Sequence, residues 1–202
     1  MKEIEQKLVV SKEDLEKVFN ALAPQDFKRK HYPRAYFDTL DMKLNERKVA
    51  LRIQIMAKGF QQTIKAAMDN EGDSLVRAEW DFEIDAHAPN KAVIDNAETL
   101  KAVEGINFDQ LVHIFTSDVK RRYFDLAVDG GMVELAFDLG RIYLPNSDID
   151  EELCEIEVEL KSGDPHIIGA TAKRIQSIAP SAKLSMRSKA ERGFDLYMKH
   201  RL

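Results

Sequence analysis

Charged and aliphatic residues alternate along several segments of this chain, and this spacing gives a β-strand two unlike faces. The clearest example is Glu3-Ile4-Glu5-Gln6-Lys7, where both acids and the lysine fall on one face. The run Glu155-Ile156-Glu157-Val158-Glu159-Leu160-Lys161 repeats the pattern near the other end of the chain. Because burying unpaired charge is costly, such faces must meet water, opposite charges or metal ions.

The same alternation, with turn residues between the runs, predicts eight strands. Lys58-Gly59 and Asp129-Gly130-Gly131 are typical of tight turns, so the strands that they join are expected to be antiparallel hairpins. The predicted strands cover 2–10, 28–38, 47–57, 60–68, 75–85, 112–128, 132–140 and 152–162.

Apolar residues at helical spacing predict helices between and after these strands. Ser11 with Asp14 predicts a helix start, and Leu15, Val18 and Phe19 share a face of that helix. Further helices are predicted at 90–103, 107–111, 165–179 and 188–199. No repeat, low-complexity tract or linker divides the chain, so 1–202 is expected to be a single domain.

The direction of the charged strand faces decides the fold. An ordinary sandwich or barrel, with an apolar interior and a solvated exterior, is one interpretation of the alternation. However, the apolar stripes of the helices must pack against something, and the apolar strand faces are the available surface. We therefore predict an α+β fold: an eight-stranded antiparallel β-barrel with helices packed outside and a polar, ion-lined lumen.

Composition narrows the class of partner and the compartment. The net charge of −5 gives no overall attraction to nucleic acid or to an anionic membrane, so neither is expected as a partner. No run of apolar residues is long enough for a spanning helix. Cys154 is the single cysteine and cannot form an intramolecular disulfide, and the polar start lacks the apolar run of a secretion signal. A cytoplasmic location is the simplest expectation.

The charged faces offer ligands for hard cations and for phosphate. Carboxylate oxygens suit Mg²⁺ or Mn²⁺, whereas no histidine pairs with another at ligand spacing and Cys154 has no activating partner. A lumen that holds acids and bases together suits a small, metal-chelated polyanion such as a triphosphate, although salt bridges without any ligand remain an alternative. The acids are Glu3, Glu5, Glu155, Glu157 and Glu159, and the bases are Lys7, Arg52, Lys65, Arg77, Arg121 and Lys189.

An ordered series of motifs resembles the CYTH, or triphosphate tunnel metalloenzyme, superfamily, whose hallmark ExExK corresponds to Glu3-Ile4-Glu5-Gln6-Lys7. The likeness is closest to the bacterial inorganic triphosphatase branch, here without the C-terminal CHAD domain that many members of that branch carry. It continues in the family's order through Tyr36-Phe37-Asp38-Thr39, Val49-Ala50-Leu51-Arg52, Gln62-Thr63-Ile64-Lys65, Arg77-Ala78-Glu79-Trp80, Thr116-Ser117-Asp118, Glu155-Ile156-Glu157 and Ser188-Lys189-Ala190.

The resemblance implies a tunnel enzyme that hydrolyses the terminal phosphoryl group of a linear triphosphate with Mg²⁺ or Mn²⁺. It implies metal binding by Glu3, Glu5, Asp138, Glu155 and Glu157. Phosphate binding and catalysis would fall on Lys7, Arg52, Lys65, Arg121 and Lys189.

One departure from the family pattern concerns the position two residues after Arg52, where the family often has a second base and this chain has Gln54. Arg77 is a candidate to compensate for that loss of charge. Lys7 could orient water rather than bind substrate, and the role of Glu159 is left open.

Several functions remain open at this point. Inorganic tripolyphosphate is the favoured substrate, and the alternatives are a thiamine or nucleoside triphosphatase, a class IV adenylate cyclase and a non-catalytic polyphosphate-binding module. A thiamine triphosphatase would need aromatic residues at the tunnel mouth, for which Tyr32, Phe60 and Trp80 are candidates. The metal preference, the number of metal ions and the oligomeric state are not indicated by the sequence.

Overall fold

Ten strands form the central sheet in the computed structural model, which describes residues 2–31, 33–68 and 72–201. Nine of them overlap the eight predicted strands, since the prediction at 28–38 covers two. In chain order the strands are β1 (Lys2–Val9), β2 (Lys28–His31), β3 (Arg34–Asp38), β4 (Val49–Ile55), β5 (Phe60–Ala67), β6 (Leu75–Ile84), β7 (Val112–Val128), β8 (Gly131–Tyr143), β9 (Asp150–Gly163) and β10 (Lys183–Ser185).

Eight of these strands close into an antiparallel barrel. The order around the barrel is β1, β6, β5, β4, β3, β7, β8 and β9, and β9 pairs with β1 to complete the ring. The short strands β2 and β10 pair with β7 and β1, respectively. The prediction of an eight-stranded antiparallel barrel is therefore confirmed.

Two details of the strands differ from the prediction. The strand predicted at 28–38 is divided into β2 and β3, and Pro33, which has no backbone N–H to donate to a ladder, lies in the interruption. The short strand β10 was not predicted, because three residues are too few to show an alternation. The turns at Lys58-Gly59 and Asp129-Gly130 join hairpins as expected.

In the described part of the chain, five α-helices accompany the barrel: α1 (Lys12–Leu22), α2 (Lys43–Glu46), α3 (Ala97–Ala102), α4 (His166–Ile178) and α5 (Lys189–His200). Ser11 and Ser188 cap α1 and α5 with their side chains, and Ser188 forms a capping box with Glu191. The predicted helix at 90–103 is reduced to α3, since the side chain of Asn96 accepts the Thr99 N–H and fixes the start there. The segment predicted at 107–111 forms a short 3₁₀ helix, Phe108–Gln110.

Apolar strand faces and the helices make two cores outside the barrel. One joins α1 and α4 to the outer faces of β1, β8 and β9, with Leu15 and Ile168 packing in one cluster with Ile156. The other covers the outer faces of β3 to β6 with the segment that contains α3, where Leu51 and Ile64 share a cluster with Val103. Because these faces take up the apolar residues, the alternate positions are left to face the lumen.

Helix α5 covers one end of the lumen. Phe194 packs edge-on against Phe115 with ring centroids 5.1 Å apart, and Phe115 stacks on its cross-strand partner Tyr36 at 4.4 Å. A Cβ at Gly193 would lie only 2.2 Å from the Phe115 ring, so α5 approaches the barrel as closely as a glycine allows. The lumen is thus apolar at this end and polar further along.

Candidate functional site

A polar cavity of about 460 Å³ occupies the interior of the barrel. Side chains from strands all around the barrel and from the start of α5 line it. The predicted residues among its walls are Glu3, Glu5, Lys7, Arg52, Lys65, Arg77, Arg121, Glu157, Glu159 and Lys189. The tertiary structure therefore brings together charged residues that are up to 186 positions apart, from Glu3 to Lys189.

Three carboxylates form a compact group, which we call the carboxylate cluster: Asp138, Glu155 and Glu157. One oxygen from each lies within 4.8 Å of the others. Asp138 on β8 is directly cross-strand from Glu155 on β9, and Glu157 is two residues further along the same face. Asp138 and Glu155 are fully buried and Glu157 is 7% exposed. Such buried acids need opposite charges nearby.

Two lysines from opposite ends of the chain neutralise the carboxylate cluster. Lys7 Nζ lies 3.1 Å from Glu155 Oε1 and also contacts Glu157. Lys189 Nζ lies 2.7 Å from Asp138 Oδ2, 2.5 Å from Glu155 Oε1 and 2.7 Å from Glu157 Oε1. Lys189 is the first residue of α5, so the capped start of this helix sets the position of its ammonium group.

Arg121 contributes a bidentate contact to the same cluster. Its Nε donates to Asp138 Oδ1 at 2.7 Å and its Nη2 donates to Asp138 Oδ2 at 2.6 Å, while Nη2 also contacts Glu157. The two residues are cross-strand partners on β7 and β8. A planar guanidinium matched to both oxygens of one carboxylate is among the stronger polar contacts in proteins. The cavity reaches Glu157 but not the two buried acids, which lie beneath Arg121 and Lys189.

The acids of the ExExK segment lie in a second group of ion pairs. Glu3 Oε2 is 2.8 Å from Lys65 Nζ and 3.8 Å from Arg77 Nε, and Glu5 contacts Arg77. The two groups meet at Lys7, whose Nζ is 3.7 Å from Glu5 Oε1. All five predicted metal ligands thus line one interior, but only Asp138, Glu155 and Glu157 lie close enough to share an ion as placed.

The electrostatic environment favours the charged forms of these residues. Burial opposes ionisation of Glu157 and Asp138, but Arg121 and Lys189 outweigh it and hold the pKa of both acids below its ordinary value. Burial likewise opposes the charge of Lys7, and the carboxylates of Glu155 and Glu157 raise its pKa. At the cavity wall burial raises the pKa of Glu159, although Lys161 partly opposes this effect.

Several residues of the cavity were not identified from the sequence. Arg34 and Tyr36 face the lumen from β3, Glu79 contacts both Lys65 and Arg52, and Lys30 extends from β2. Arg34 lies two residues before Tyr36, the first residue of the motif Tyr36-Phe37-Asp38-Thr39. Residues two apart share a strand face, so this spacing could have identified Arg34 as a cavity residue. The position of Lys30 could not be predicted in this way, because the four residues of β2 are too few to show which strand face points into the barrel.

Arg77 and Gln54 have different neighbours in the cavity. Arg77 contacts Glu5, whereas the neighbour of Gln54 is Arg34, whose Nε donates to Gln54 Oε1 at 3.1 Å. The two residues are cross-strand partners on β3 and β4. The guanidinium nearest to the missing base therefore comes from a strand that the sequence did not single out.

Other sequence candidates lie away from the cavity. Trp80 and Phe60 pack against the core cluster of β3 to β6, so they form part of that core. Tyr32 lies outside the described residues. Cys154 is buried, and burial raises the pKa of its thiol to about 11, which suits a packing role. The histidines all lie outside the carboxylate cluster.

The chemistry of the carboxylate cluster fits a hard divalent cation. Three convergent carboxylates offer oxygen ligands, which Mg²⁺ and Mn²⁺ prefer. The same oxygens also contact Lys7, Lys189 and Arg121, so an ion would have to replace these cations as the neutralising charge. A ligand that drew the bases away would open the cluster to the ion.

The barrel is closed and antiparallel, and its interior holds acids and bases together. A profile of the CYTH domain matches residues 1–194, so the chain belongs to the CYTH domain family. Proteins of this family are metal-dependent and include triphosphatases and adenylate cyclases, so a triphosphate-related enzymatic function is indicated. None of the described helices combines the length and apolar composition required to cross a membrane.

Solved structures share the fold at low sequence identity. A candidate adenylyl cyclase from Hippeastrum, described as having a dominant triphosphatase activity, is 20% identical with a TM-score of 0.68, covering 99% of this chain and 97% of that one. A candidate adenylate cyclase from Bacillus halodurans is 23% identical with a TM-score of 0.61, covering 95% and 97%. The capping enzyme triphosphatase of Mimivirus is 9% identical with a TM-score of 0.50, covering 88% and 89%. At these identities the likeness shows the fold alone.

Proposed function

We propose that this chain hydrolyses the terminal phosphoryl group of a linear triphosphate, with inorganic tripolyphosphate as the substrate and Mg²⁺ or Mn²⁺ as the cofactor. The observation that carries this proposal is the carboxylate cluster beside a cavity that at least six bases line. The assignment to the inorganic triphosphatase branch, the single domain over 1–202 and the cytoplasmic location are parts of the same proposal.

An exchange of partners would prepare the site. A triphosphate entering the cavity offers Lys7, Lys65, Arg77, Arg121 and Lys189 the phosphate oxygens in place of the carboxylates that they contact. Asp138, Glu155 and Glu157 are then free to hold the metal, with Glu3 and Glu5 as the further ligands that we propose. The charge of the buried site stays balanced throughout, as a low-dielectric interior requires.

Each group of residues has a distinct task in the reaction. The metal would neutralise phosphate charge and acidify the attacking water. Arg52, Lys65, Arg121 and Lys189 would stabilise the charge that develops on the transferring and leaving phosphates, which is the main source of catalysis in phosphoryl transfer. Lys7, with Glu5 on one side and Glu157 on the other, is positioned to orient either water or phosphate. Water adds to the terminal phosphorus, and the bond to the bridging oxygen breaks to release orthophosphate and pyrophosphate.

The lining of the cavity favours an inorganic substrate. Its walls are mainly charged, and the aromatic candidates Phe60 and Trp80 pack in a core cluster rather than against the cavity. A thiamine ring or an adenine base would have to lie outside the charged region.

The test is incubation with tripolyphosphate, ATP or thiamine triphosphate, each with Mg²⁺, with Mn²⁺ or with EDTA. Ion chromatography would resolve the phosphates, and a nucleotide column would resolve the adenine products. We expect orthophosphate and pyrophosphate from tripolyphosphate with either ion and none with EDTA. Faster turnover of an organic triphosphate would contradict the substrate, cyclic AMP from ATP would indicate a cyclase, and binding without turnover would indicate a polyphosphate-binding module.

A further inference from the structure

Arg34 has different partners from the six bases of the cavity that were predicted from the sequence. Lys7, Arg52, Lys65, Arg77, Arg121 and Lys189 each have a carboxylate oxygen within 4 Å. Among residues 2–31, 33–68 and 72–201, no carboxylate lies that close to Arg34, and the single hydrogen bond of its side chain joins Nε to Gln54. Arg34 is only 6% exposed and lines the cavity.

The position of Arg34 is electrostatically unfavourable in the absence of a ligand. Burial, together with the nearby Arg52 and Arg121, lowers the pKa of its guanidinium to about 10. Asp138 partly opposes this effect, but no described carboxylate lies within ion-pair distance, and a buried cation placed in this way destabilises the fold. An anion in the cavity would supply the missing charge.

The hydrogen bonds of Gln54 orient the guanidinium. Gln54 Nε2 donates to Gln61 Oε1 at 2.8 Å, and this bond fixes the amide with Oε1 toward Arg34. Arg34, Gln54 and Gln61 lie side by side on β3, β4 and β5. With Nε held by Gln54, the terminal nitrogens have no acceptor among the described residues. Two such N–H groups can bind two oxygens of one phosphate group.

We propose that Arg34 binds a phosphate group of the substrate through its terminal nitrogens, and that Gln54 is the positioning residue that orients it. This inference rests on the proposed function, because it takes a triphosphate as the ligand of the cavity. It also accounts for the glutamine two residues after Arg52. A base at position 54 would lie directly cross-strand from Arg34, where like charges repel, so the chain carries this charge on β3 instead of β4.

The central experiment compares Arg34→Gln with the wild type and with Arg141→Gln, a control at an exposed ion pair with Asp150. Isothermal titration with tripolyphosphate in the presence of EDTA measures binding without turnover. Steady-state assays with Mg²⁺ give KM and kcat, and thermal unfolding gives Tm. We expect Arg34→Gln to weaken binding by about 10- to 100-fold, the effect of losing charged hydrogen bonds to phosphate, with an unchanged or higher Tm. Arg141→Gln should bind as the wild type does.

Gln54→Met tests the positioning role, since methionine has a similar length and lacks the amide oxygen. We expect this change to raise KM by about tenfold or less, as for the loss of one hydrogen bond. The effect should disappear in the double variant Arg34→Gln/Gln54→Met, because there is no guanidinium left to orient. The exchanged pair Arg34→Gln/Gln54→Arg returns the charge to β4 and should recover part of the lost affinity.

The outcomes separate this inference from the proposed function. Normal binding by Arg34→Gln, or a Tm lowered by several degrees with normal affinity per folded molecule, would overturn the role of Arg34 and leave hydrolysis by the wild type untouched. Wild-type protein that binds tripolyphosphate without hydrolysing it would overturn the hydrolase, whereas about 10- to 100-fold weaker binding by Arg34→Gln in the same titration would still support the role of Arg34. Wild-type protein that does not bind tripolyphosphate would overturn both.

Discussion

The two sides of the cavity handle charge differently. On the side of β8, β9 and β1, acids and bases alternate in space, and Asp138, Glu155 and Glu157 are neutralised by Lys7, Lys189 and Arg121. On the side of β3 and β4, Arg34 has no carboxylate partner among the described residues, and Arg52 reaches across to Glu79. The acids and bases of the first side neutralise one another, so we call it the balanced side, whereas Arg34 on the second side forms no ion pair with a described carboxylate. In the proposed function, the bases of the first side would exchange carboxylates for phosphate oxygens, whereas Arg34 on the second side would bind phosphate without giving up a carboxylate.

The largest effect is expected from Glu157→Gln, which removes a charge from the balanced side. Phosphate release from tripolyphosphate should fall by about 100-fold or more, since the change removes a proposed metal ligand and disturbs three bases. Glu159→Gln is the matched control, because Glu159 lies two residues further along the same face and pairs with the more exposed Lys161. Orthophosphate release by both variants is the measurement. Equal activity of Glu157→Gln and the wild type would remove the metal role from this side.

A smaller effect is expected from Gly193→Ala, which tests how α5 holds Lys189 over the balanced side. The added Cβ would lie 2.2 Å from the buried Phe115 ring, and overpacking of this kind destabilises a core by about 1–3 kcal/mol. The same substitution at Gly169 in α4 meets only Gln6, at 3.9 Å, and should stabilise the protein by about 1 kcal/mol or less.

Urea unfolding measures the free energy of unfolding of both variants. We expect it to fall for Gly193→Ala and to rise for Gly169→Ala, although both changes add the same methyl group. Tripolyphosphate titration of Gly193→Ala then shows whether a displaced α5 also weakens binding. A Gly193→Ala protein as stable as Gly169→Ala would mean that α5 does not approach Phe115 as closely as described.

The smallest effect is expected from acidification of the metal-free protein. Burial raises the pKa values of Asp138 and Glu157, but Arg121 and Lys189 lower them more, so the folded values lie below the unfolded ones. Their contribution to stability is therefore complete above the unfolded pKa of about 4 and is lost as the pH falls through the folded values.

Thermal unfolding of the wild type between pH 7 and pH 3 should show this loss, and Glu157→Gln should lose less stability over the same range. A wild-type Tm that stays constant down to pH 3 would be inconsistent with the ion pairs of the balanced side.

The sequence was sufficient to predict the barrel because alternation is a local property of a strand. Glu3, Glu5 and Lys7 share a face in any extended chain, and so do Glu155 and Glu157. The helices at 12–22, 166–178 and 189–200 followed from their apolar stripes, and the start of the first also followed from Ser11 and Asp14. The need of those helices for an apolar surface gave the direction of the charged faces, and the charged lining of the cavity confirms it.

Only the tertiary structure decided which charges meet. The distance between Lys7 and Glu155 depends on the closure of β1 against β9, and the contacts of Lys189 depend on the approach of Gly193 to Phe115. The neighbour of Gln54 is Arg34 rather than Arg77, since pairing between strands follows from register, which is not visible in either strand alone. Local patterns fix which way a side chain faces, whereas its partner across the lumen is set by the packing of the whole barrel.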